Sequence, residues 1–188
     1  MRIIVFGTNK CKFCDKQYKF LSRTFDKSDW LYINVSNDVN ALKIADKVKI
    51  DKVPAIVLLD NNQQELFRAE GTMPPDRIFN TLFPSAKAIP FKSIYKKALL
   101  DGQINFKILS CDTQMGKGDK VTAMTYGGKT ICSIKIKSCE KLKIDELGKK
   151  CGKEIVSDYI KSGGRGDLGW LIYFDRTLDE QLAKQSSA

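Results

Sequence analysis

Two cysteines three residues apart are the clearest chemical feature of this chain. Cys11 and Cys14 enclose Lys12 and Phe13, and they come soon after the apolar run 2–7. Such a pair can form a reversible disulfide or supply half of a zinc site. A zinc site needs four ligands, and the chain has no histidine and no second Cys-x-x-Cys. The pattern therefore favours thiol–disulfide chemistry, and we expect no bound metal.

The surroundings of Cys11 favour its thiolate form. A free cysteine has a pKa of about 8.5, so it is mostly protonated at neutral pH. The pattern places Cys11 at the N-terminus of a helix, where free N–H groups and the helix dipole favour negative charge, and Lys10 and Lys12 add positive charge. We expect these effects to lower the pKa of Cys11 and make it the nucleophile. Cys14 lies one turn deeper on the same helical face and is the expected resolving thiol.

Short apolar runs alternate with amphipathic segments through the first half of the chain. They predict the order β-α-β-α-β-β-α. The predicted strands are 2–7, 30–35, 55–59 and 65–69, and the predicted helices are 12–25, about 38–48 and 74–82. Asn37 or Asp38 is expected to cap the second helix.

Three motifs fall at characteristic points of that order. Cys11-Lys12-Phe13-Cys14 follows the first strand, Val53-Pro54 precedes the third, and Gly71 follows the fourth. Residues 1–84 therefore resemble the thioredoxin/glutaredoxin superfamily. The resemblance implies an α/β thioredoxin-like fold, a cis bond before Pro54 and dithiol–disulfide oxidoreductase activity.

The resemblance also implies a substrate site and its partners. The substrate would be a disulfide-containing protein or glutathione. No cofactor would be bound, and glutathione or a thioredoxin-reductase-type system would supply the electrons. The implied substrate-binding residues are Lys10, Lys12, Phe13, Val53, Pro54, Gly71 and Thr72.

Departures from the family patterns leave the substrate open. Lys10 stands where thioredoxins usually have tryptophan, and Lys52-Val53-Pro54 replaces the Thr-Val-Pro of glutaredoxins. Gly71-Thr72-Met73 replaces their glutathione-binding Gly-Gly-Cys-Ser-Asp-like segment. Because fold alone does not establish activity, the alternative is a non-catalytic binding protein for RNA or a protein partner, with the thioredoxin fold as its scaffold.

The second half has a different pattern. Residues 85–90 have the composition of a linker, and 91–188 form a predicted α+β, barrel-like domain. A helix is predicted at 91–100 and another from Asp145 to about Ile160. The predicted strands are 104–109, 119–126, 130–137 and 169–174.

This second domain resembles the ASCH domains of the PUA-like superfamily. The resemblance rests on Asp101-Gly102 after a helix, Gly118-Asp119 before a strand, and 143–147 at the start of a helix. It implies association with RNA. Some such domains use a lysine and a threonine for amidohydrolase chemistry, and Ile104 and Lys107 occupy those positions here, which favours binding over catalysis.

The charge is uneven along the chain. The net charge is +10, with 13 basic and 10 acidic residues in 1–84 against 19 and 12 in 85–188. A basic second half favours an anionic partner, nucleic acid being the usual one, although lysines can simply serve solubility. The candidate phosphate contacts are Lys117, Lys120, Lys129, Lys135, Lys137 and Arg165.

The pattern of apolar residues predicts a cytoplasmic protein without a membrane partner. No apolar stretch approaches the ~18–20 residues that cross a bilayer, and the N-terminal run is too short for a signal peptide. In that compartment thiols are kept reduced. We therefore expect Cys111, Cys132 and Cys139 to be buried apolar side chains rather than parts of a disulfide framework.

Overall fold

The computed structural model describes residues 2–36, 38–84, 86–110, 114–164 and 166–177. The chain divides into two compact units, Met1–Leu82 and Phe83–Ala188. Three predicted positions, Asn37, Cys111 and Arg165, lie outside the described residues. Within the described residues no helix is long and apolar enough to cross a membrane.

The first unit has the predicted order of elements. Its strands are β1 (Arg2–Gly7), β2 (Trp30–Asn34), β3 (Ala55–Leu59) and β4 (Glu65–Glu70). Its helices are α1 (Lys12–Thr24), α2 (Val39–Lys47) and α3 (Pro75–Leu82). The strands form one sheet in the order β2-β1-β3-β4. β1 runs parallel to β2 and antiparallel to β3, and β3 is antiparallel to β4.

Burial explains why these segments fold as they do. The central strands β1 and β3 are almost wholly apolar, and Val5, Ile56 and Leu58 are fully buried. α1 buries one stripe, formed by Cys14, Gln17, Phe20, Leu21 and Thr24. The carboxylate of Asp38 accepts hydrogen bonds from the first N–H groups of α2, which fixes where that helix begins.

The second unit is a mixed α+β unit. Its strands are β5 (Ala88–Phe91), β6 (Phe106–Leu109), β7 (Lys120–Thr125), β8 (Thr130–Lys143) and β9 (Leu168–Thr177). A 3-10 turn at 93–95 leads into α4 (Lys96–Leu100), and α5 (Ile144–Cys151) and α6 (Lys153–Lys161) lie between β8 and β9.

The five strands form one sheet in the order β5-β7-β8-β9-β6. β5 is parallel to β7 and the other pairs are antiparallel. Among the described residues β5 and β6 are the two edges, so this sheet is an open half-barrel rather than a closed barrel. One face packs Ile89, Ile134 and Phe174 together, and the other packs Ile108 and Leu171 against α5 and α6.

Three predictions for the second half need correction. Residues 88–90, predicted as linker, belong to the buried strand β5, because they pair with β7. The predicted helix 91–100 is confined to Lys96–Leu100 after the 3-10 turn. The single helix predicted from Asp145 is two helices, because Gly152 takes a left-handed φ of 92° between them, and the first of them begins at Ile144.

Candidate functional site

Cys11 and Cys14 are joined by a disulfide at the start of α1. Their Cα atoms are 5.2 Å apart. Cys11 is the N-cap residue, and its Sγ accepts a hydrogen bond of 3.1 Å from the backbone N–H of Cys14. Cys14 is fully buried, whereas Cys11 is half-buried. An incoming sulfur atom can therefore approach Cys11 far more easily than Cys14.

The N-terminus of α1 supplies the electrostatics that a cysteine nucleophile needs. After reduction, an N–H donor at the sulfur and the positive end of the helix dipole both favour the thiolate of Cys11. Lys10 and Lys12 are exposed on either side of Cys11, and Phe13 is 66% exposed. The first turn of α1 thus presents a sulfur atom, two cations and an aromatic ring to solvent.

Three loops, one of which leads to this disulfide, leave the sheet at the same end of its strands. Phe6 near the end of β1 pairs with Ala55 at the start of β3, and Ala55 also pairs with Glu70 at the end of β4. The loop after β1, the loop before β3 and the loop after β4 therefore lie at the same end of the strands. These loops, together with the first turn of α1, carry the N-terminal residues for which we predicted a site.

The loop before β3 contains the cis peptide bond between Val53 and Pro54. This confirms the conformation implied by the family resemblance. Pro54 is buried and Val53 is half-buried. The carbonyl oxygen of Pro54 accepts a hydrogen bond of 2.7 Å from the N–H of Gly71, which joins this loop to the one after β4. Gly71 has a φ of 84°, a left-handed conformation that suits glycine.

A buried glutamine fixes the loop after β4. The side chain of Gln17 in α1 is fully buried, and its Oε1 accepts a hydrogen bond of 2.7 Å from the N–H of Met73. Its Nε2 donates one of 3.2 Å to the carbonyl oxygen of Met73. Gln17 is not among the predicted site residues, although a polar residue in the apolar stripe of α1 is a detectable signal.

Polar contacts also fix the loop that leads to Cys11. The N–H of Asn9 donates to the Oγ of Ser36 at 2.7 Å, and the side-chain amide of Asn34 donates to the Oδ1 of Asn9, also at 2.7 Å. These bonds connect the loop after β1 with the loop after β2. The position of Cys11 therefore depends on two neighbouring strands.

Tyr32 packs directly over the start of the same loop. A Cβ atom at Gly7 would lie 2.1 Å from the Oη of Tyr32, so a larger residue there requires the Tyr32 ring to move. The Tyr32 ring also contacts Tyr18 of α1 edge to face, with centroids 5.4 Å apart. Burial, and then the negative charge of Asp15 and the nearby Tyr18, raise the pKa of Tyr32 above its ordinary value.

Other charged groups lie beside the cis-proline loop. Lys52 forms an exposed ion pair with Glu70, with an N–O distance of 3.7 Å. Such exposed pairs contribute little stability. Among the described residues, no three cysteine, aspartate or glutamate side chains converge as a metal site would require.

The structure gathers part of the predicted basic set in the second unit. An open depression of about 710 Å³ is lined by Lys117, Gly118, Lys135, Ile136, Lys137 and Asp175. Lys120 lies opposite Lys135 in the pairing of β7 with β8. Lys129 lies beyond the other end of β7, where its N–H bonds to Thr125. Lys137 is paired with Asp175 at 2.8 Å.

The lysines follow the alternation of β8. Ile134 and Ile136 are buried while Lys135 and Lys137 are exposed, as the sequence pattern indicates. Cys132 is buried and Cys139 is half-buried, and both pack in or against the main apolar cluster of this unit.

Residues 2–84 match the family model of a thioredoxin-like domain. The N-terminal unit is therefore a thioredoxin-like domain, and its cysteine pair lies at the start of the first helix. The resemblance of the second unit to ASCH domains stays a prediction.

The other comparisons add little. No curated protein matches the chain. The crystal structure of protein EF3133 from Enterococcus faecalis V583, of the family DUF984, is similar with a TM-score of 0.32 and 10% identity. The similarity covers 48% of this chain and 76% of that one, and it is too weak to assign a fold.

Proposed function

We propose that this protein is a thiol–disulfide oxidoreductase that uses Cys11 as nucleophile and Cys14 as resolving thiol. The observation that carries the proposal is the unequal placement of the two sulfur atoms. Cys11 caps α1 and is accessible, whereas Cys14 is fully buried behind it. That arrangement suits one thiol for attack and the other for intramolecular resolution.

The reaction is a two-electron exchange in two steps. The Cys11 thiolate attacks one sulfur of a substrate disulfide, which forms a mixed disulfide and releases the other substrate sulfur as a thiolate. Cys14 loses its proton and attacks the Sγ of Cys11, which releases the second substrate thiolate and forms the Cys11–Cys14 disulfide. The substrate is reduced and the protein is oxidised. A thiol reductant, glutathione or a reductase-fed dithiol, then returns the pair to its reduced form.

The two loops beside the disulfide form the proposed binding edge. In the resembling family the backbone before the cis-proline pairs with a bound peptide or glutathione. Val53 supplies that backbone here, Thr72 lies in the neighbouring loop, and Lys10, Lys12 and Phe13 add positive charge and an exposed ring. The proposed substrate is a disulfide in a protein or in glutathione.

Turnover of two substrates tests this function. With dithiothreitol as reductant, the protein should accelerate reduction of insulin, of the mixed disulfide between glutathione and cysteine, or of both. The ratio of the two rates identifies the preferred substrate. Cys11→Ser should abolish the acceleration. A wild-type protein no faster than Cys11→Ser on either substrate would leave the non-catalytic alternative.

The basic depression supports a second candidate function, phosphate contact with a nucleic acid partner. Three lysines line the depression and a fourth lies beside it, so one surface concentrates positive charge. Such contacts weaken steeply as salt increases, because bound lysines release counterions. Neither base recognition nor a catalytic group is needed for them.

Matched charge reversals test this second function. Lys117→Glu and Lys135→Glu, each made alone, should weaken binding of a labelled single-stranded RNA and reduce its salt dependence. Lys129→Glu, placed at the other end of the hairpin, should weaken it much less. Equal effects at Lys129 and at the depression would indicate non-specific charge attraction, and undetectable binding by the wild type would exclude this function.

A further inference from the structure

One fully buried polar side chain of the first unit takes no part in the chemistry proposed above. Gln17 is fully buried in α1, one turn beyond Cys14. A buried amide without partners is costly, so such a group is retained where its hydrogen bonds are made. Both bonds of Gln17 go to the backbone of one residue, Met73, which is 56 positions away.

The segment that Gln17 holds has no strand or helix of its own. β4 ends at Glu70 and α3 begins at Pro75, so residues 71–74 are irregular. Gly71 has a left-handed φ, and Pro74 has no N–H to donate. Met73 is buried, and its N–H and carbonyl groups are the fixed points of this segment.

Hydrogen bonds and a short stretch of backbone therefore link α1 to the loop after β4 and to the cis-proline loop. Gln17 bonds to Met73, the chain runs back through Thr72 to Gly71, and the N–H of Gly71 donates to Pro54 at 2.7 Å. Thr72 lies between the two attachment points. Its backbone position relative to Cys11 is set by Gln17 on one side and by the cis-proline loop on the other.

We propose that Gln17 is a positioning residue that sets the distance and orientation of the binding edge at Thr72 relative to the Cys11 sulfur. The proposal rests on the proposed oxidoreductase function. The side-chain hydrogen bonds of Gln17 go to the backbone of Met73 rather than to either sulfur. It acts through Met73, by fixing a loop that the sheet does not hold.

Gln17→Met provides the main test. Methionine has nearly the same length, is apolar and cannot make either bond to Met73. The variant should lower kcat/KM for a peptide disulfide by about tenfold to a hundredfold, mostly through a higher KM, because a displaced binding edge misplaces the substrate. Alkylation of reduced Cys11 by iodoacetamide, which needs no binding edge, should keep its rate within about twofold.

Two further variants separate positioning from stability. Leu21→Met places the same residue at another fully buried position of α1 and should leave KM unchanged. Gln17→Glu, kept protonated by burial, can accept from the N–H of Met73 and donate to its carbonyl oxygen, so its KM should lie between those of the wild type and Gln17→Met. If Gln17→Met does not fold, as judged by circular dichroism, Gln17→Glu and the control still decide the question.

The outcomes distinguish this inference from the function on which it rests. A wild type that reduces disulfides, with a Gln17 variant of unchanged KM, would overturn the positioning role alone. If Gln17→Met and Leu21→Met both lost disulfide reduction and alkylation to the same extent, the role of Gln17 would be stability alone. A wild type without reductase activity would overturn both proposals.

Discussion

At the scale of single residues, the chemistry depends on the difference between two identical side chains. Cys11 and Cys14 differ in exposure, and the N–H of Cys14 donates to the Cys11 sulfur. A thiolate at Cys11 would be stabilised by that hydrogen bond and by the positive end of the α1 dipole. Lys10 and Lys12 add positive charge because they adjoin Cys11 in the chain.

Reversal of these charges should slow Cys11. Lys10→Glu with Lys12→Glu should lower the rate of alkylation of reduced Cys11 by neutral iodoacetamide at pH 7 several-fold, since nearby negative charge disfavours a thiolate. Lys19→Glu changes one charge on the same helix more than two turns away and should have a smaller effect per charge, because exposed charges are screened within about 10 Å. Equal effects per charge would contradict the local explanation.

At the scale of elements, the site depends on close contacts between loops and their neighbouring elements. Gly7 ends β1, and the ring of Tyr32 in β2 covers it. The same ring contacts Tyr18 in α1, so β1, β2 and α1 meet at one point. The loop that carries Cys11 starts there.

Gly7→Ala should strain this junction. Its Cβ would lie 2.1 Å from the Tyr32 hydroxyl oxygen, and overpacking of this kind costs about 1–3 kcal/mol of unfolding free energy. Tyr32→Ala in the same chain should recover part of that loss, because it removes the obstructing ring. Urea denaturation of the four chains of the double-mutant cycle measures the coupling. Additive losses would show that Tyr32 is not the obstacle.

Sequence patterns predicted the elements that depend on residues close together in the chain. Helical spacing predicted α1, the apolar run predicted β3, and the alternation at Ile134–Lys137 predicted which side of β8 is buried. The side chain of Asp38, one of two predicted caps, does cap α2. Each of these depends on neighbours within a few positions.

Contacts between distant segments were not predictable in the same way. Residues 85–90 have the Ala, Pro and Ser content of a linker, yet 88–90 belong to β5, because β7 pairs with them more than thirty residues later. Gln17 was missed because its partner is Met73, and no periodicity connects the two. Part of the candidate site, the cysteine pair and the cis-proline, could be predicted from motifs, whereas the hydrogen bonds that position the loop could not.

At the scale of the whole molecule, two units of different character share one chain. The thioredoxin-like unit contains a dithiol site and carries a small net charge. The second unit has its own apolar clusters, carries most of the excess positive charge and concentrates part of it at one depression. The proposed functions follow this division, because reduction of a disulfide needs the first unit and phosphate contact needs the second.

The central claim is that Cys11 attacks and Cys14 resolves, and trapping of the mixed disulfide tests it most directly. The Cys14→Ser variant, once reduced and then mixed with a peptide disulfide, should accumulate a covalent adduct that mass spectrometry locates at Cys11, because the resolving thiol is absent. The Cys11→Ser variant should accumulate none, since the Cys14 sulfur is fully buried. An adduct at Cys14 in the Cys11→Ser variant, with none at Cys11 in the other, would contradict the account.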